Sequence, residues 1–106
     1  MVTFVRQWIV ERELLRLAKR ESFQGIDPQA ITLVLEQFAR MPSRLSATER
    51  QSCMLRALLL DIWENASERY HAEKNTAWLR VTASCNALYE QHRSHEDRSN
   101  VEALAA

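Results

Sequence analysis

The stretch LLLDIWENASERYHAEKNTAWLRVTASCNAL, residues 58–88, decides the fold. Between Asn65 and Val81 it holds no Gly or Pro, so propensity alone permits one helix from residue 47 to 92. Phase argues otherwise. At 100° per residue Leu58, Ile62, Ala66 and Tyr70 share one face, and Trp78, Val81, Cys85 and Leu88 share another, offset from the first by roughly 100°. That offset is worth about one inserted residue. Both faces reach a common core only if the helix breaks at Lys74–Thr76, with Asn75 as turn or N-cap residue. An unbroken helix would refute this arrangement.

Outward from that break, the third helix spans 47–73 and the fourth 76–92. Ser46-Ala47-Thr48-Glu49 matches a capping box, in which the Ser46 hydroxyl and Glu49 carboxylate satisfy backbone donors reciprocally. The run MLRALLLDIW, residues 54–63, is apolar nearly all round, which makes the third helix the expected centre of the bundle. Cys53, Ala57 and Leu60 form a smaller stripe where another helix can approach closely. Upstream, Asp27 is placed to cap a second helix over 28–41, because Pro28 suits a first helical position. Ile31, Val34, Leu35, Phe38 and Met41 form its apolar face. Residues 3–23 give a first helix, with the stop signal in the segment around Gly25.

The predicted fold class is therefore all-α, a compact four-helix bundle over residues 1–92. A polar tail over 93–106, flexible or partly helical, follows it. Composition agrees. The chain has one glycine and two prolines in 106 residues, too few for the tight turns that β-rich folds require. Fourteen basic and fourteen acidic side chains cancel, leaving no overall field to draw the chain to nucleic acid or an anionic membrane. No run approaches the ~20 apolar residues of a membrane span. Cys53 and Cys85 form no CxxC pair, so reduced thiols and a cytoplasmic setting are expected.

Motifs that carry chemistry are scarce. No glycine-rich loop exists to bring backbone N–H groups against a phosphate, and no nucleophile elbow marks a hydrolase. His92, His95, Glu96 and Asp97, with Cys85 upstream, form a cluster of metal-ligand types at a spacing that matches neither zinc-finger nor HExxH patterns. Glu64 and Glu68 stand one helical turn apart without the ExxH partners of a di-metal bundle. No catalytic residue, metal or cofactor is assigned. Residues 44–60, a short polar cap before an apolar helix, resemble the opening of a helix-turn-helix element. The resemblance implies a DNA-binding transcriptional regulator. The stretch after it is acidic where phosphate contacts need Lys and Arg, which argues against nucleic acid.

The first helix carries two apolar stripes where an outer helix of a bundle needs one. Val5, Trp8, Leu15 and Ala18 form one stripe; Val10, Leu14 and Leu17 form the other. The surplus is either enclosed within the fold or paired with a second copy or a different protein. The expectation is a small non-enzymatic protein-binding module: an adaptor, chaperone or inhibitor, acting as a homodimer or on another protein. Trp8, Val10, Leu14 and Leu17 are its candidate partner surface, with Trp8 as anchor.

Overall fold

A computed structural model describes the backbone of residues 2–40 and 49–105 and the side chains of residues 7–40 and 50–92. Four α-helices run through the described residues: α1 (Val2–Lys19), α2 (Pro28–Arg40), α3 (Glu49–Glu73) and α4 (Ala77–Ala105). Among the described residues there is no strand. The helices form a ring in which α1 packs on α2 and α3, α2 packs on α4, and α4 closes the circuit against α3 along their most extensive contact. The shortest dimension is 20 Å, two helix diameters.

The break between α3 and α4 falls where the phase argument places it. Lys74 takes up a left-handed backbone, φ 59°, and donates its N–H to the Tyr70 carbonyl at 2.7 Å. This is the single-bond helix stop that an αL residue makes at the C-terminus. Asn75 then accepts the Ala77 N–H on its side-chain oxygen at 3.0 Å, as an N-cap does for the second helical residue. Asp27 does the same for α2, accepting from the Gln29 N–H at 3.0 Å. The Ser46–Glu49 capping box and the end of the second helix at Met41 lie outside the described residues.

Two helix boundaries differ from expectation. α4 continues to Ala105, since nothing from residue 93 to 105 is Gly or Pro and Glu, Ala and Leu favour helix. The side chains of that extension are outside the described set. α1 stops at Lys19 instead of residue 23, and the reason is Phe23. On a helix prolonged to 23, Phe23 points away from the face that carries Val10 and Leu14. Ending the helix early instead lets Phe23 turn inward, where it is fully buried. The turn that accomplishes this runs from the Phe23 carbonyl to the Ile26 N–H at 3.1 Å. Gly25 sits at its third position with φ +79°, a conformation only glycine enters cheaply. The end of α1 is also tied across the molecule, because the Asn65 side-chain amide donates to the Arg20 carbonyl at 3.0 Å.

The core combines Val10, Leu14 and Ala18 of α1, Ile31, Leu35 and Phe38 of α2, Leu55, Leu59, Ile62 and Ala66 of α3, and Trp78, Val81, Cys85 and Leu88 of α4. At its α3–α4 end the Phe23 and Trp78 rings stack with centroids 6.0 Å apart and planes 13° from parallel. Trp78 is completely enclosed, so its indole N–H needs a partner inside the protein. Glu73 Oε2 accepts it, and Glu73 Oε1 lies 3.7 Å from Arg69. Thr32, buried and polar, bonds back to the Pro28 carbonyl at 3.1 Å.

Two substitutions separate local strain from packing. Lys74→Gly relieves a left-handed lysine at the loss of its contact with the Tyr70 ring, where Nζ stands 5.8 Å from the centroid. A net gain of about 0.5–1 kcal/mol is expected, a rise of roughly 3 °C in melting temperature. Phe23→Ala empties the stack on Trp78 and should cost about 3–5 kcal/mol in urea unfolding.

Candidate partner-binding surface

The four residues singled out on the first helix do not share a surface. Val10 and Leu14 are core residues, and Leu17 is half-buried against them. The stripe that looked surplus is the one α1 turns toward α2 and α3, which corrects its expected exposure to a partner. Trp8 is different: it is 60% exposed, with the Arg12 guanidinium 5.2 Å over its ring. The neighbouring basic side chains of α1 are partly engaged locally, Arg16 with Glu13 at 3.4 Å and Arg20 with the Ser22 carbonyl at 3.5 Å. Val5 lies outside the described side chains.

Uncovered apolar surface sits instead on α3. Only Leu55, Leu59, Ile62 and Ala66 of this helix are buried, so α3 is a wall of the ring and not its centre. Its outer side carries exposed Cys53, Ala57 and Leu60, the last 51% exposed; Met54, 60% exposed, lies on one flank of that stripe and Trp63 on the other, beside α4. Apolar composition all round had suggested burial on several sides. A ring of four helices encloses one side of each, and α3 has α1 and α4 as its neighbours.

Beside this face, the groove between α3 and α4 opens into two depressions that share Trp63 and Asn86. One, of 280 Å³, is lined by Leu59, Leu60, Cys85, Tyr89 and Glu90 in addition to those two. The other, of 320 Å³, adds Ser67, Tyr70, His71, Leu79 and Thr82. Leu79 is exposed as well, which extends the apolar strip from α3 across the groove onto α4. A third depression of 620 Å³ lies between α2 and the start of α4. Gln29, Thr32, Glu36, Asn75, Thr76 and Arg80 make most of its wall, with Leu33 and Ala77 as its apolar members.

The described side chains of metal-ligand type lie apart. No three His, Cys, Asp or Glu side chains converge as metal ligands there, and His95, Glu96 and Asp97 lie outside the described set. Glu64 and Glu68 are exposed on α3. His71 is exposed with its ring tilted against Tyr70 at 5.8 Å. In the segment that resembles a helix-turn-helix opening, residues 44–48 are outside the described backbone, and α3 runs unbroken from Glu49 to Glu73. Among the described residues no helix is long and apolar enough to cross a membrane. No family model, curated protein or solved structure matches the chain at a significant level.

The two thiols have opposite settings. Cys85 is 1% exposed, and burial pushes its pKa from 9.0 up to about 12, since the core cannot solvate a thiolate. Cys53 is exposed on the outer face of α3. In native protein at pH 8, one thiol per chain should react with a disulfide reagent. The second should react only on addition of denaturant, and Cys53→Ser should remove the fast phase. The raised folded-state pKa also means that the neutral Cys85 thiol favours folding. Its contribution is intact below pH 9.0 and is lost as pH climbs toward about 12, at up to about 1.4 kcal/mol per pH unit. Cys85→Ala should flatten that part of the alkaline unfolding curve.

Proposed function

We propose that this chain is a small non-enzymatic protein-binding module, an adaptor, chaperone or regulator, that engages its partner through the outer face of α3 and the adjoining α3–α4 groove. The supporting observation is that Leu60 and Trp63, both exposed and one turn apart, flank the α3–α4 groove on a helix whose inner face already fills the core, while exposed Met54 stands about 120° round the helix from Leu60. Scattered single apolar residues are ordinary on a protein surface, whereas a contiguous strip beside a groove is the form a helix-binding site takes. Trp63 at the junction of the two depressions is the anchor, because interface energy concentrates in aromatic residues seated in pockets. Trp8 is a separate and smaller contact. A reducing, cytoplasmic setting suits two unpaired thiols, one of them on the binding face.

The test uses residues that are exposed in the monomer. Met54→Glu with Leu60→Glu should leave the melting temperature within about 2 °C of the parent, because neither side chain is in the core. Tagged parent and variant are then compared for co-purifying proteins from source cells by mass spectrometry. The expected result is a partner recovered with the parent and lost with the variant. Identical recoveries from both would remove the α3 face as the binding site.

A further inference from the structure

We infer that the partner of the α3 outer face is a second copy of this chain, the two α3 helices lying antiparallel about a twofold axis near Ala57 and Leu60. This rests on the protein-binding function proposed above and names the occupant of its site. Placed at 100° per residue, Cys53, Ala57, Leu60 and Glu64 fall within about 60° of one another, and all four are exposed. In a twofold antiparallel pair centred between Ala57 and Leu60, the small side chain of each Ala57 opposes Leu60 of the other copy. Small opposite large lets helix backbones approach to about 8 Å without a void.

Charge selects both the occupant and its direction. The exposed N-terminal end of this face carries Arg50, and its exposed C-terminal half carries Asp61, Glu64 and Glu68. A parallel pair would set these carboxylates against their own copies. An antiparallel pair brings Arg50 of each copy within reach of Glu64 and Glu68 of the other, and the symmetry makes the contact twice. Arg50 and Glu68 lie five turns apart along one edge of the stripe, so they meet on the same side of the seam. With Arg50 and Arg56 in its N-terminal half and Asp61, Glu64 and Glu68 in its C-terminal half, the face is complementary to itself when reversed.

Light scattering on the full chain at ~100 μM should give twice the 12.4 kDa mass. Leu60→Glu should return it to monomer, a loss of affinity of at least about 100-fold, with the melting temperature that the parent shows when diluted to monomer. Arg50→Glu should weaken the pair roughly tenfold, and adding Glu68→Arg to the same chain should restore it. Direction is read by oxidation. Cys53 of the two copies would stand about 16 Å apart along an antiparallel seam, at 1.5 Å per residue, too far for a disulfide. Ala57→Cys in a Cys53→Ser background places its thiols about 4.5 Å apart along that seam and should cross-link. Monomer mass at this concentration, a dimer indifferent to Leu60→Glu, or cross-linking through Cys53 would each overturn the antiparallel pair. A monomer that still captures a different protein through Leu60 overturns only the second copy as occupant. A monomer whose captures ignore Leu60 overturns the binding function as well.

Discussion

Everything in the bundle depends on the enclosure of the Trp78 side chain. Its ring is completely buried and stacks on Phe23, while its indole N–H reaches Glu73, the last residue of α3. One residue therefore joins the α1–α2 connection, the end of α3 and the start of α4. A buried indole N–H without an acceptor costs about 1–3 kcal/mol, so the turn must hold Glu73 over the ring. That requirement accounts for a left-handed lysine at position 74, which carries strain that the stack and the hydrogen bond offset. The phase reset between the two long helices and the packing of the core are two consequences of one geometry.

Once the phase is reset, the placement of α3 follows. Leu55, Leu59, Ile62 and Ala66 share the core with Val81, Cys85 and Leu88, and among the described residues the side of α3 opposite them is exposed. α1 occupies one flank and α4 the other. The described outer surface of α1 exposes Trp8 and Ile9 among Arg12, Arg16 and Lys19. That of α3 presents Met54, Ala57, Leu60 and Trp63. The two walls differ in that the apolar side chains of α1 are set among cations, whereas those of α3 adjoin the groove to α4.

Local chemistry was the most legible part of the sequence. Asp27 and Asn75 could be assigned as caps because their hydrogen bonds reach only two residues onward, and the break at Lys74 followed from helical phase. Choices that depend on tertiary competition were less visible. α1 offers two stripes of similar strength, and only the position of α2 and α3 decides that Val10 and Leu14 turn inward. Phe23 is hidden for a related reason: helix propensity runs past Lys19, and the benefit of stopping there is a stack with a residue 55 positions later. The Cys53, Ala57 and Leu60 stripe was visible as a close-approach surface. Its exposure was not, since MLRALLL is apolar all round and composition does not state how many neighbours a helix has.

The fold and the α3 surface are consequently under separate physical control. Leu60 and Met54 are open to water in the folded chain, as they are in the unfolded one, so they contribute little to the stability of the monomer. Substitutions there leave folding free energy nearly constant while changing what the face attracts. Trp78, Phe23 and Glu73 have the opposite property, because altering any of them disturbs the turn that sets the register of α4. A chain of 106 residues has only about 5–15 kcal/mol of stability to lose. Because Leu60 and Met54 lie outside the core, substitutions there do not draw on that margin, and this separation is why a small bundle can carry an apolar face on one of its walls.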